Sequence, residues 1–400
     1  MTNKENKKYV IIFNGEFPPP EGGVGTWNTN ISALLVKEGY SVYSLRGGGI
    51  TPKGVKTLCL SSESRFIRLL KYLWDMITVL ISKRIVIRYL FRNKILYLKD
   101  LKDILGLLIE SKRFVKFIKG KFEKYIIYAS HCSVDEGLFG AFLKQSLGGS
   151  RLIIHEHGSG LEYSDINPCL MPYLEKQTDI FLVASEFMKK RLLEKGIFKD
   201  KITVIPNGIV IKPETGMLNK EKLILFCGSL EKHKDPLSFI KSIPLVINKY
   251  PEYKFVLVGS GNMKHELQRY VAENGLDYHV EFTGPLEHEV AIEYFKRAKI
   301  FVLPSLREPF GIVILEALIN YTPCIVSNIG GMPEIIRNTA GKIVPPEQPV
   351  DISEAIICLL SDNQKWNEYA SIGYQRVKAK YDLENIFQQF ANIIKCEDTN

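Results

Sequence analysis

Ser305 to Glu334 reads SLREPFGIVILEALINYTPCIVSNIGGMPE, and its first half joins a forced turn to an apolar helix. Pro309 fixes its own backbone and keeps Glu308 extended, so the chain turns at that pair. From Phe310 the run GIVILEAL can be helical, and the free N–H groups at its start point back towards the turn as an anion site. Glu308 stands just ahead of this terminus. Glu316 lies about five residues into the helix, roughly 7 Å along its axis at about 1.5 Å per residue. An incidental acid on a surface helix is the plainer alternative, but Glu316 interrupts the apolar run IVILEALI. A buried carboxylate must be hydrogen-bonded or neutralised, and a ribose diol supplies two donors for one. The stretch fits a ligand with phosphates at one end and polyols at the other.

At 400 residues the chain exceeds the usual range of one core, so two domains of about 150 to 200 residues are expected. The start, MTNKENKKYVIIFNG, offers only the four-residue aliphatic and Phe run Val10 to Phe13 before Asn14, too short for a signal peptide. No run reaches the length of a spanning helix. Seven cysteines, at 59, 132, 169, 227, 324, 358 and 396, have no CxxC spacing, which fits reduced structural thiols in a cytoplasmic protein. The net charge of +9 is unevenly spread: residues 65–124 hold sixteen Lys/Arg against five Asp/Glu, a local +11 that leaves −2 elsewhere. That excess predicts a basic surface on one region only.

Tyr9 to Phe13 reads as a strand, Glu21-Gly22-Gly23-Val24-Gly25 as a glycine loop, and Thr26 to Lys37 as a helix with apolar spacing at Trp27, Ile31, Leu34 and Leu35. Strand, loop and helix open a doubly wound domain whose loop amides can face an anion, although a tight turn without ligand reads the same way. Residues 65–124 alternate apolar and basic groups at helical spacing, with Ile67, Leu70, Trp74, Ile77 and Ile81 on one stripe. The stripe can pack on the sheet. The basic groups together with Trp74, Phe91, Tyr97, Phe114 and Phe117 favour a further role at an anionic membrane surface. No nucleic-acid motif accompanies these charges, so a nucleic-acid partner is not expected.

Tyr125 to Ala129 and Arg151 to Ile154 are two more strands, followed by His131 and by His155-Glu156-His157-Gly158 on the ligand side of a parallel sheet. Two histidines one residue apart fit no common zinc spacing, so no metal is expected, and structural histidines are the alternative to a binding role. Residues 209–221 form a polar linker. Leu223 to Cys227 begins a second domain and leads to Gly228-Ser229-Leu230-Glu231-Lys232-His233-Lys234-Asp235-Pro236. Asp235 as N-cap and Pro236 at the first helical position start a helix and hold Lys234 beside its terminus, where an anion would complement it. Phe255 to Val258 and Ile300 to Leu303 are further strands, and Leu383 to Ile394 a last helix.

Glu308-Pro309-Phe310-Gly311 with Glu316-Ala317-Leu318 resembles the paired-glutamate motif of retaining sugar-nucleotide glycosyltransferases, family 4, of the GT-B fold. The resemblance continues through Pro323, Ser327, Gly330-Gly331 and Met332-Pro333-Glu334. It extends to Gly259-Ser260-Gly261, to Phe282-Thr283-Gly284-Pro285-Leu286 beside the nucleotide base, to the GGVG loop, and to His157-Gly158 with His131 near the same cleft. Three departures stand out: Ser229 occupies the position of an arginine whose fork grips a pyrophosphate, so that Lys232 or Arg307 covers the charge, donor binding is weak or the donor pocket is altered; Asp235 stands at the motif's final glycine; and Tyr321 replaces a small glycine.

The resemblance implies two doubly wound Rossmann-like α/β domains facing each other. Residues 1–208 would be the acceptor-side domain with the basic helical region 65–124, residues 209–380 the nucleotide-sugar-binding domain, and residues 381–400 a helix returning to the first. It implies Glu308, His157 and Lys234 as catalytic residues. Donor contacts are implied at Gly23, Ser229, Lys234, Gly259, Leu286, Glu308, Phe310, Gly311 and Glu316. The donor would be a UDP-sugar or GDP-sugar and the acceptor a glycan or glycolipid, with no metal and with the protein peripheral at the inner face of the cell membrane. A GT-B-fold epimerase and an inactive sugar-nucleotide-binding protein are the alternatives.

Overall fold

Short apolar runs alternate with amphipathic ones along the chain, and in the computed structural model they become two parallel sheets with helices between successive strands. The structure describes residues 9–14, 17, 23–45, 50–57, 114–158, 170–211 and 219–395. Residues 65–113 of the basic region, Gly22, most of the linker at 212–218 and Cys59, Cys169 and Cys396 lie outside these. By its internal contacts the chain divides into two units, Met1–Ala184 with Met188–Ile205 and Asn392–Asn400, and Ser185–Phe187 with Pro206–Ala391.

The first unit contains β1 (Tyr9–Asn14), α1 (Gly23–Lys37), β2 (Ser41–Ser44), β3 (Lys56–Thr57), β4 (Lys124–Ala129), α2 (Phe139–Ser146), β5 (Arg151–Glu156), α3 (Leu170–Gln177), β6 (Ile180–Val183) and β7 (Ile202–Val204). Its strands lie parallel in the order β3-β2-β1-β4-β5-β6-β7, with Ile11 opposite Ile126, Tyr128 opposite Ile153 and His155 opposite Leu182. Val10 to Phe13 and Ile126 to Ala129 are buried throughout because helices cover both faces of such a sheet, so the strands read as continuous apolar runs.

Two details differ from the sequence reading. α1 begins at Gly23, so Gly23, Val24 and Gly25 form its first turn instead of a loop. The amides expected to face an anion are those that a helix start leaves without intrahelical acceptors. Phe114 is buried in the core, which removes that ring from any exposed stripe, whereas Phe117 is 44% exposed with Lys121 Nζ 3.7 Å from its ring centre.

The second unit contains β8 (Leu223–Cys227), α5 (Pro236–Ile247), β9 (Lys254–Val258), α6 (Lys264–Glu273), β10 (Val280–Gly284), α7 (His288–Arg297), β11 (Ile300–Leu303), α8 (Ile312–Ile319), β12 (Cys324–Ser327), α9 (Met332–Ile336), β13 (Gly341–Val344), α10 (Pro349–Ser361) and α11 (Asn363–Lys380); α4 (Glu186–Glu194) and α12 (Leu383–Lys395) contribute residues to both units. The strand order is β10-β9-β8-β11-β12-β13, all parallel. In both sheets the order reverses once, between β1 and β4 and between β8 and β11. Loops leaving the carboxyl ends of such strands diverge and open a crevice for ligands.

Lys220 fastens the far side of the second sheet. Its ammonium donates to the carbonyls of Phe295 (3.2 Å), Lys296 (2.9 Å) and Asn320 (2.6 Å) and to Thr322 Oγ1 (2.7 Å), closing the carboxyl ends of α7 and α8. A cation there complements the negative ends of both helices.

Candidate active site

In the second unit the loop after β8 tightens into a 3₁₀ turn, Lys232–Lys234, and Asp235 then adopts left-handed backbone angles of φ 50° and ψ 49°. Aspartate tolerates this conformation better than most residues. Its Oδ1 accepts the Ser238 N–H at 3.2 Å and caps α5, with Pro236 in the first turn, as the sequence predicts. Lys234 therefore projects from just ahead of a helix terminus. The loop after β11 meets it: the His233 carbonyl accepts the N–H of Leu306 at 2.8 Å and of Arg307 at 3.2 Å, and the Lys234 ammonium pairs with Glu308 Oε2. The two side chains of this pair are only 20% and 11% exposed, so each charge depends on the other.

Glu308 is held from behind by backbone. Its carbonyl accepts the Gly331 N–H at 3.1 Å, and a Cβ on Gly330, at φ 64°, would come 1.8 Å from that oxygen. Only glycine lets the two backbones approach so closely. Pro309 is pinned by Ser185 Oγ, which donates to its carbonyl at 2.9 Å, and Glu334 accepts the N–H groups of Glu186 and Phe187 at 2.9 and 2.7 Å. Phe310 is buried against Tyr381, with ring centres 5.9 Å apart. Gly311, at φ 96°, precedes α8, and no side chain caps that helix start.

Glu316 lies in the second turn of α8, 14% exposed, and its Oε1 pairs with His288 Nε2 at 2.9 Å. His288 opens α7 two residues after the half-buried Leu286. Glu316 also acts on the end of β8: burial first, then this carboxylate, push the Cys227 thiol up to about 12, with Lys234 opposing. Gly259 sits between the loops that follow β8 and β10. Its N–H donates to Gly284 O at 2.9 Å, and a Cβ would come 2.0 Å from Gly228 O. Ser229 is half-buried in the same loop, with Lys232 and Arg307 exposed nearby in sequence on the two facing loops. The structure thus brings Ser229, Lys234, Gly259, Glu308, Phe310, Gly311 and Glu316 to the carboxyl ends of β8, β9 and β11, with Leu286 following β10. His288 and Cys227 were not singled out in the sequence, because neither lies in a recognisable motif.

His157 and Gly23 belong to the first unit. Gly23 opens α1 one turn ahead of Trp27, whose ring lies 4.7 Å edge-on from His155 and 6.0 Å from His157. The His155 and His157 rings are 3.9 Å apart with a 33° tilt, and His131 lies 6.0 Å from His157. Tyr128 hydroxyl and His155 Nδ1 are hydrogen-bonded at 2.8 Å. The Nε2 atoms of His155 and His157 are buried without a hydrogen-bond partner. Burial and His131 push His155 down to about 3, and burial with His155 and His131 holds His157 well below the ordinary imidazole value.

Between these histidines in sequence lies Glu156, fully buried, whose Oε1 accepts the Gly158 N–H at 2.7 Å and Oε2 the Cys132 N–H at 2.8 Å, with His131 Nδ1 at 3.6 Å from Oε1. Burial would raise this carboxyl. His131 and the two amides outweigh burial and hold it below its usual value. The sequence signal for Glu156 was alternation: in a strand buried on both faces, neighbours of His155 and His157 point into the opposite layer. Among the described residues no group of three or more His, Cys, Asp or Glu is placed to hold a metal ion. None of their helices is long and apolar enough to cross a membrane.

The family model Glycosyltransferase Family 4 matches residues 21–212, and Glycosyl transferases group 1 matches residues 210–376. An uncharacterized glycosyltransferase of Methanocaldococcus jannaschii is 32% identical over 214 residues, 49% of this chain and 54% of the relative. The Escherichia coli UDP-Gal:alpha-D-GlcNAc-diphosphoundecaprenol alpha-1,3-galactosyltransferase is 30% identical over 60% of this chain and 65% of its own. The Corynebacterium glutamicum GDP-mannose-dependent monoacylated alpha-(1-6)-phosphatidylinositol monomannoside mannosyltransferase is 28% identical over 62% and 71%. The chain thus spans about half the length of the first relative and about two thirds of the other two.

Among solved structures, Anabaena HepE in complex with UDP superposes with a TM-score of 0.73 over 97% of this chain and 99% of that one, at 15% identity. A Rickettsia africae glycosyltransferase gives 0.69 over 98% of each, at 16%. At such identities the likeness is one of fold. Two family models laid end to end along the chain, and one fold shared over nearly its whole length, make this protein a GT-B-fold chain related to the family 4 and group 1 glycosyltransferases.

Proposed function

We propose that the protein is a retaining glycosyltransferase that moves a sugar from a nucleoside diphosphate sugar to a hydroxyl of a glycan, with a lipid-linked or cell-envelope acceptor. The observation that carries this reading is the Lys234–Glu308 pair at the β8/β11 reversal, next to an uncapped helix start. A donor would separate the pair by giving each charge a partner, diphosphate for Lys234 and sugar hydroxyls for Glu308. In this assignment residues 209–380 bind the donor, residues 1–208 present the acceptor through His157, and residues 381–400 return to the first domain. Ribose would take Glu316, while Ser229, Gly259, Phe310 and Gly311 shape the diphosphate and sugar sites, Leu286 the base site, and Gly23 the donor phosphates.

The reaction breaks the bond between the anomeric carbon and the diphosphate oxygen and forms one from that carbon to the acceptor oxygen on the same face. The acceptor proton passes to a donor phosphate oxygen as negative charge develops there. Lys234 and the α8 N–H groups stabilise that charge. Glu308 orients sugar hydroxyls and does not attack carbon. The Corynebacterium and Escherichia relatives, named for phospholipid- and undecaprenol-linked acceptors, support an acceptor on a lipid carrier, and with such an acceptor the protein would work at the inner membrane face.

The test is to incubate the protein with UDP- and GDP-sugars and extracted membrane glycolipids and to read the product linkage by NMR. Retained anomeric configuration with no glycosyl adduct on Glu308 is the expected result. An inverted linkage, or a trapped adduct, would overturn the mechanism.

A further inference from the structure

We propose that Glu156 and His131 are positioning residues that set the charge pattern of the histidine cluster, with His131 carrying the proton as an imidazolium and His157 standing neutral beside it. The proposal deepens the acceptor-side reading of His157 and rests on that reading for its functional meaning. Its first ground is Glu156 itself. A fully buried carboxylate keeps its charge only with donors on its oxygens and a cation close by. The Cys132 and Gly158 amides supply one donor to each oxygen, and among the described residues the basic group at ion-pair distance is the His131 imidazole, whose Nδ1 lies 3.6 Å from Oε1.

The second ground is crowding. His131, His157 and His155 follow one another with ring centres 6.0 and 3.9 Å apart, too close for adjacent imidazolium ions in a buried site. One ring can be charged, and Glu156 selects the one it touches. Among the described residues, the groups packed around the cluster are Tyr128 and Cys132 from the end of β4, Glu136 from the π-turn Val134–Leu138, Trp27 from α1, and His155, Glu156 and His157 from β5 and the residue after it. Glu136 adds negative charge beside Tyr128 and Cys132.

The third ground is the open valence. His157 Nε2 is buried without a hydrogen-bond partner among the described residues, and a buried polar atom in that state calls for a partner, a water or a ligand group. A neutral ring can accept from or donate to a hydroxyl there, according to its tautomer; an imidazolium can only donate. The cluster therefore offers an acceptor hydroxyl a neutral imidazole edge backed by a fixed positive charge one ring away.

The experiment is ¹⁵N-histidine NMR of the full chain, in which the His131 and His157 signals, among seven histidines, are assigned by His131→Gln and His157→Gln, followed from about pH 5 to 8. In the parent, His131 should remain doubly protonated across the range and His157 neutral. In Glu156→Gln, His131 should lose its proton within the range and His157 should begin to gain one at the acid end. A neutral His131 in the parent at neutral pH would overturn the proposal, and so would a Glu156→Gln pattern identical to the parent's. The parent spectrum decides the point even if the variant does not fold. No sugar nucleotide enters the measurement, so its outcome is independent of whether glycosyl transfer is found.

Discussion

Lys234 and Glu308 neutralise each other across 74 residues of sequence, in a pocket that leaves each of them less than a quarter exposed. A cation placed to receive a leaving diphosphate acts mainly on the transition state, so Lys234→Ala should lower sugar-transfer turnover by about 10² to 10³. Glu316→Gln removes a ground-state contact and should raise the donor KM with little change in kcat. Steady-state kinetics with a turned-over UDP- or GDP-sugar check both, with thermal melting to show that each variant is folded. Activity of Lys234→Ala within about twofold of the parent would take Lys234 out of the diphosphate role. At this scale the sequence was legible where the backbone signals were local: Asp235 and Pro236 announce a capped helix, and Pro309 a turn. It did not reveal that His288 meets Glu316 or that Glu156 is the buried hub of the first unit, because those pairings join separate strands and helices.

Tyr321 shows why a departure from a glycine position need not damage an element. Its φ of 56° is the left-handed conformation that favours glycine, and its ring stacks on Tyr374 of α11 with centres 4.3 Å apart and planes within 6°. Left-handed backbone costs about 1–2 kcal/mol, while a stacked aromatic returns about 0.5–1.5 kcal/mol beyond the part of the roughly 1.5–3 kcal/mol of full burial that the half-buried Tyr321 gains. Tyr321→Gly should therefore destabilise the protein, by about 1 kcal/mol in chemical denaturation, even though it introduces the residue that the left-handed conformation favours. Lys220 is the second device at this scale. Lys220→Met leaves the carboxyl ends of α7 and α8 without this donor and should cost about 1–3 kcal/mol. Burial, with Lys299 nearby, pushes the Lys220 ammonium down to about 7 in the folded state. Its unfolded counterpart holds its proton to about pH 10.4. Between those values the unfolded chain binds more protons, so this group's contribution to stability rises with pH and is smallest below about 7. The stability gap between parent and Lys220→Met should widen from neutral to alkaline pH; a gap that narrows would contradict the shifted ammonium.

Across the whole molecule, each sheet reverses its strand order once, and the candidate site residues follow the strands beside those reversals. Alternating apolar runs and amphipathic helices made the doubly wound class readable, because each strand buried on both faces is a continuous apolar word. The start of α1 was misplaced by three residues, since glycine signals a loop and a helix's first turn alike. Charge distribution is the property that belongs to the chain as a whole. Its local +11 over residues 65–124 stands against −2 elsewhere, and at the described end of that region Phe117 is 44% exposed beneath the Lys121 ammonium while Phe114 is buried. Basic groups near an anionic surface contribute about 1 kcal/mol each, fading within the Debye length of about 10 Å at 0.1 M salt. Inserted rings add an apolar contribution that salt does not screen. The protein should therefore float with vesicles containing anionic phospholipid at low salt, leave them at high salt, and ignore neutral vesicles. Replacing Phe117 with Ser should weaken the low-salt association without changing its salt dependence, because it removes a ring and no charge. Equal recovery in the soluble fraction with neutral and anionic vesicles would assign the basic stripe to packing alone.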